Sequence, residues 1–194
     1  MKLYLSALLA LLTISCNAPV SERKEIKDTS LSAGKPTIKS KHVKNTGTLD
    51  PINSIRDIVE GINNSDLRTK HFEFKCDEKM VVDYFYVNDE IVKISVDYGT
   101  IGDSYAKEDY YYAKGKLVFN YEFVEGGPAC EGCVTKNEFR SYIQNNKVIK
   151  YLKNKSAQKC RKCEFDLSSK QYKLLQTEKS EEIKWILCKM RNRV

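Results

Sequence analysis

The chain has 194 residues, with 33 Lys and Arg against 26 Asp and Glu, a formal net charge of +7, and two histidines. That length accommodates one domain and a tether rather than several cores. Because His42 lies in a stretch without regular apolar spacing, the folded part keeps only His71, which excludes histidine-based triads and multi-histidine metal centres.

Lys2 precedes an apolar run from Leu3 to Ile14 that ends at Ser15-Cys16. The run is shorter than the roughly 20 apolar residues a bilayer span needs, so residues 1–15 read as an export signal. Leu12-Thr13-Ile14-Ser15-Cys16 resembles a lipoprotein signal, in which a small residue precedes the cysteine that takes the lipid. Thr13 stands where leucine is usual, a relaxation found in Bacteroidetes-type lipoproteins, which the Lys-, Asn- and Tyr-rich composition also resembles. The resemblance implies lipidation at Cys16 and a membrane held through acyl chains, each buried methylene contributing about 0.8 kcal/mol. Asn17, in place of the Asp of inner-membrane retention signals, implies the outer membrane, with the domain facing either the periplasm or the exterior. The alternative is an ordinary secretory signal in which Cys16 has no role.

Residues 16–50 carry scattered apolar singles (Val20, Ile26, Leu31, Ile38, Val43) at no helical or strand period and read as a disordered tether. As a flexible coil it would span on the order of 30 Å. Residues 51–194 form the single expected domain. Its charge is lopsided: residues 51–146 hold 11 Lys/Arg against 17 Asp/Glu, and residues 147–194 hold 14 against 5. A basic end could meet lipid phosphates or an acidic partner. The simpler reading is that Lys153, Lys155, Lys159, Arg161 and Lys162 form a solvated loop and that Lys184, Lys189, Arg191 and Arg193 complement a helix C-terminus. No nucleic-acid motif accompanies the charge, and no nucleic acid is expected as a partner.

Asp50-Pro51 opens a helix, with an aspartate cap and proline at the first position, and Ile52, Ile55, Ile58, Val59 and Ile62 recur on one face up to Asn63-Asn64. His71 to Lys75 alternates as a half-buried strand does. Three segments then share a pattern: an aromatic strand enters Asn88-Asp89, Lys114-Gly115 or Asn145-Asn146, and an aliphatic strand returns. These pairs tolerate the positive φ of tight hairpin turns. Alternation puts Leu117, Phe119, Tyr121 and Phe123 on one face, and Ile183, Ile186, Leu187 and Met190 give a closing helix. Around Tyr111-Tyr112-Ala113-Lys114-Gly115-Lys116-Leu117 the hairpins resemble the units of MORN-type repeat proteins, which implies an antiparallel meander. The expected fold class is α+β: an antiparallel β-meander sheet of six or seven strands with an N-terminal and a C-terminal helix.

Six cysteines follow Cys16, an even number that suits disulfides in an exported protein. Cys130-x-x-Cys133 and Cys160-x-x-Cys163 flank the third hairpin, so their loops are expected to be neighbours. Four converging sulfurs would take structural zinc, or pair between the loops as disulfides. Export favours disulfides and no cofactor, with Cys76 and Cys188 able to tie the first strand to the last helix. Phe74-Lys75-Cys76-Asp77 is similar to the aromatic-x-Cys-Asp opening of membrane-bound lysozyme inhibitor lipoproteins, a resemblance that also implies an early cysteine bonded to a late one.

No catalytic constellation stands out. Among Asp97, Asp103, Glu108, Asp109, Glu122, Glu125 and Glu138 the spacing selects no pair. Eleven of the 12 tyrosines lie between Tyr84 and Tyr172, and Tyr84, Tyr86, Tyr110 and Tyr112 are the candidates for an exposed binding face; the alternative puts their rings in the core. The expected function is a membrane-anchored envelope lipoprotein that binds a protein or glycan component. Its alternatives are a carboxylate-dependent envelope hydrolase and a structural envelope lipoprotein.

Overall fold

The computed structural model describes residues 50–128 and 130–191, without the side chains of Met190 and Arg191. The export signal, Cys16 and the tether up to residue 49 lie outside the described residues. The described residues all belong to one compact unit, which contains both apolar clusters of the core. Among the described residues no helix is long and apolar enough to cross a membrane.

Helix α1 (Pro51–Asn63) starts as its sequence dictates: the Asp50 side chain accepts the Ile52 N–H at 3.1 Å, and Pro51 occupies a position whose N–H needs no partner. Its apolar stripe buries Ile55 and Ile62. Eight strands follow in one antiparallel sheet whose spatial order is the chain order: β1 (Arg68–Lys75), β2 (Lys79–Val87), β3 (Glu90–Ile101), β4 (Ser104–Ala113), β5 (Lys116–Gly126), β6 (Thr135–Gln144), β7 (Lys147–Lys153) and β8 (Ser156–Ala157). The meander is as expected, but the strands number eight, not six or seven. The addition is β8, whose two residues are too few to show alternation. Helices α2 (Lys170–Leu175) and α3 (Ser180–Arg191) complete the fold.

The three expected turns all have positive φ at both central residues, as at Asn88 (47°) and Asp89 (64°), and Asn154-Lys155 forms a fourth. After each of the three, the register skips one residue of the returning strand, namely Val92, Val118 and Ile149. Such a bulge exchanges the faces of the residues on either side of it. Leu117 therefore packs beneath the C-terminal helices, whereas Phe119 packs against α1, correcting the single face expected for Leu117, Phe119, Tyr121 and Phe123.

Both faces of the sheet are covered. Ile183, Ile186 and Leu187 of α3 and Leu174 of α2 lie on Met80, Val82, Tyr84, Ile94, Tyr110 and Tyr112. On the other face α1 packs on Tyr111, Phe119, Tyr142 and Leu152. The exposed face proposed for Tyr84, Tyr86, Tyr110 and Tyr112 is thus absent: their exposures are 0%, 4%, 0% and 1%. They share that face because each pair sits two apart on its strand, β2 or β4, with Ile94 of the intervening β3 in register with both Tyr84 and Tyr110, and the C-terminal segment buries it. Two hydroxyls find backbone acceptors in the cover, Tyr84 donating to the Leu174 carbonyl at 3.0 Å and Tyr112 to that of Gln171 at 2.8 Å. A buried tyrosine needs such a partner, and here the partners lock α2 onto the sheet.

Candidate functional site

Along the face that the C-terminal segment covers, β4 passes from Tyr112 and Tyr110 to Glu108. Its register partner on β5 is Glu122, directly opposite. Adjacent strands place facing Cβ atoms about 4.5–5.5 Å apart, so two carboxylates share one patch and would repel each other if left alone. Cations from the covering segment prevent that. Lys170 Nζ reaches Glu108 Oε2 at 2.8 Å and Oε1 at 2.9 Å, and donates to the Tyr98 hydroxyl at 2.6 Å. Arg161 binds Glu122 Oε2 at 2.7 Å, donates to the Tyr151 hydroxyl at 2.9 Å and lies 3.9 Å above the Phe139 ring. Asn120 Nδ2 donates to Glu122 Oε1 at 2.9 Å, and the Tyr110 hydroxyl donates to Glu108.

Glu108, Glu122 and Lys170 border a cavity of about 430 Å³ whose apolar wall is Ile101, Ala106, Phe165, Leu187 and the Tyr98 ring. Its polar wall is Glu108, Glu122, Lys162, Lys170 and Gln171. A smaller hollow of about 230 Å³ shares Glu122, Lys162 and Phe165 with it and extends to Ser141 and Tyr151. The size falls within the ~300–1,000 Å³ range of small-molecule sites, and an apolar wall with a few placed polar groups is their usual chemistry.

The local electrostatics follow from burial. Desolvation, then the facing Glu108 charge, pushes the Glu122 carboxyl up, while Arg161 pulls against both. Burial, then the neighbouring Lys170 charge, pulls the Lys162 ammonium down. For Lys170 burial opposes the charge, but Tyr98 and Glu108 outweigh it and hold the ammonium above the ordinary lysine value. The Tyr98 hydroxyl is pushed up to about 12 by burial and by Glu108, so it stays neutral at physiological pH.

Arg161 and Lys162 are the two residues inside Cys160-x-x-Cys163, whose cysteines are disulfide-bonded to each other with a Cα separation of 5.4 Å. Cys130 and Cys133 are likewise bonded to each other, Cα to Cα 5.3 Å, and Cys76 is bonded to Cys188 across 5.7 Å. The cross-pairing between loops expected for Cys130, Cys133, Cys160 and Cys163 does not occur, nor do their four sulfurs gather as a zinc site. The reason is the path after β8. The chain runs back along β7 until the Val148 N–H donates to the Cys163 carbonyl, beside the β6–β7 turn, whereas Cys130 and Cys133 lie in the β5–β6 connection at the opposite end of that hairpin. Among the described residues no group of three or more His, Cys, Asp and Glu side chains is placed to hold a metal ion.

The other candidate carboxylates serve local structure. Asp97 accepts from Tyr105 and the Gly99 N–H, Asp109 accepts from Ser95 on the α1 face, and Glu125 and Glu138 pair with Lys136 and Arg140. Asp103 lies in the β3–β4 turn, and His71 Nδ1 meets Asp83 at 2.7 Å on exposed strand surface. Sequence reasoning set Arg161 and Lys162 aside as solvated loop and did not single out Lys170. One signal for the carboxylate pair was present: Glu108 stands six residues before Lys114 and Glu122 seven after Gly115, so a hairpin with a one-residue bulge must pair them. No family model, curated protein or solved structure matches the chain.

Proposed function

We propose that the protein is a lipid-anchored envelope lipoprotein of the outer membrane whose domain is a binding module, with its ligand seated between the sheet and the C-terminal segment. The supporting observation is the roughly 430 Å³ cavity with apolar walls and a charged margin, on a framework tied by three disulfides. The binding role moves from Tyr84, Tyr86, Tyr110 and Tyr112, which are core, to a cavity whose lining includes Tyr98 but none of those four. Capture from solubilised envelopes by the domain of residues 46–194 tests this. Ala106→Trp fills the cavity from its wall, so an envelope component retained by the wild type should be lost from that variant. Equal capture by both refutes the cavity as the seat. Replacing Cys16 by alanine in the full chain should move the protein from the membrane fraction to the soluble one.

A second reading is a carboxylate-dependent envelope hydrolase, supported by the facing Glu108 and Glu122 and by the raised Glu122 carboxyl, which resembles the divided acid and base roles of glycosidases. Both carboxylates are already engaged by cations, which favours the binding reading. Peptidoglycan or glycan hydrolysis abolished by Glu122→Gln would reverse that order.

A further inference from the structure

The charges around the cavity pair off with one left over. Lys170 is matched to Glu108 and Arg161 to Glu122. Lys162 has no carboxylate at ion-pair distance among the described residues; its Nζ lies 4.6 Å from the centre of the Phe165 ring, at the border between the charged margin and the apolar wall. From this juxtaposition we infer that the cavity takes a monoanion carried on an apolar body, its charge on Lys162 and its body against Phe165, Ile101 and Leu187. This rests on the binding reading above and names the ligand chemistry.

Three features support it. Lys162 is an exposed residue, reachable by an incoming ligand, and partial desolvation and the Lys170 charge disfavour its ammonium, which an anion at that margin offsets. Over the lining groups Lys162, Lys170, Arg161, Glu108 and Glu122 the sum is one positive charge, which one negative charge neutralises; Asp166, outside the lining and beyond ion-pair distance, already acts on Lys162, so a second negative charge would face three carboxylates. The Cys160–Cys163 bond closes the tetrapeptide that carries Arg161 and Lys162, so both cations are restrained before ligand arrives, which lowers the ordering cost of binding.

Competitive displacement of a fluorescent dye from the 46–194 domain tests the inference with four probes. Decanoate and 2-naphthoate present the anion on aliphatic and aromatic bodies, decanol lacks the charge, and decyltrimethylammonium reverses it. At least one anion should bind about tenfold more tightly than decanol, the ratio expected of one charge-assisted hydrogen bond, and the ammonium should bind more weakly still. Lys162→Met keeps the apolar stem and should erase that tenfold preference without changing decanol binding. Cys160→Ser with Cys163→Ser should weaken the anion about threefold. Retained decanol binding in each variant shows that the cavity is intact. Absence of anion binding, equal affinity for anion and decanol, or an unchanged ratio in Lys162→Met overturns the inference. Capture abolished by Ala106→Trp together with any of these results would leave the cavity as the seat of a ligand of other chemistry. Capture unaffected by Ala106→Trp would remove the seat itself.

Discussion

The Cys76–Cys188 bond joins the end of β1 to α3 across 112 residues and should dominate the stability of the domain. Cross-linking removes loop-closure entropy from the unfolded chain in proportion to the logarithm of the loop length, which gives about 4.8 kcal/mol for this loop at 25 °C and about 1.9 kcal/mol for a four-residue loop such as either C-x-x-C. Replacing both Cys76 and Cys188 by alanine should therefore cost about 4–5 kcal/mol and lower Tm by roughly 10–20 °C. The same change at Cys130 and Cys133 should cost about 2 kcal/mol at most. Urea unfolding of the 46–194 domain under non-reducing conditions measures both, and the first variant should also show a steeper urea dependence because its unfolded state is more expanded. The reasoning fails if the Cys76/Cys188 variant loses less than about 1 kcal/mol, or no more than the Cys130/Cys133 variant. Burial of Ile183, Ile186 and Leu187 would then hold α3 without the bond.

Glu108→Gln strands the mostly buried Lys170 ammonium and should cost about 2–4 kcal/mol, whereas adding Lys170→Met should recover most of it; additive losses in a urea-denaturation double-mutant cycle would contradict the pairing. Glu122 is held above its ordinary carboxyl value, so the folded state keeps a proton that the unfolded state has released, and its contribution to stability falls as pH rises through that window. Glu122→Gln removes this fall, so the urea midpoint of the variant relative to wild type should rise from about pH 4 to about pH 7; a constant difference would refute the assignment. Lys114 occupies the left-handed region at φ 51°, where a Cβ is disfavoured, and Lys114→Gly should raise stability by about 0.5–1 kcal/mol in the same assay.

Local chemistry made much of the fold legible. Asp50-Pro51 marks a helix start by capping alone, and Asn88-Asp89, Lys114-Gly115 and Asn145-Asn146 mark turns because few residue pairs accept two positive φ values. The bulges at Val92, Val118 and Ile149 left no such mark, since β-branched residues suit regular strands equally well, and the face of Leu117 was misassigned for that reason. The tyrosines show a deeper limit. Alternation places Tyr84, Tyr86, Tyr110 and Tyr112 on a common face, but whether that face meets water depends on a segment about 50–100 residues downstream. The local pairing of the two C-x-x-C motifs was hidden likewise, because it depends on the chain turning back along β7 after Ala157.

The cavity follows from an unequal cover. Over Tyr84, Ile94 and Tyr112 the lid is helical, and Leu174, Ile183 and Leu187 fill the space above the rings. Over Glu108 and Glu122 the lid is the non-helical approach to α2, which sends down the long side chains of Arg161 and Lys162, Phe165 and then Lys170 at the helix start. A charged patch on a sheet cannot accept an apolar helix without stranding its charges, so a cover of paired cations is the arrangement that satisfies it. Long cationic side chains reach their carboxylates singly and do not fill the space between them as a packed helix does. The facing glutamates thus account for the opening in the core, and the two adjacent cations restrained by Cys160 and Cys163 lie at its margin, one matched to Glu122 and the other left without an ion-pair partner among the described residues.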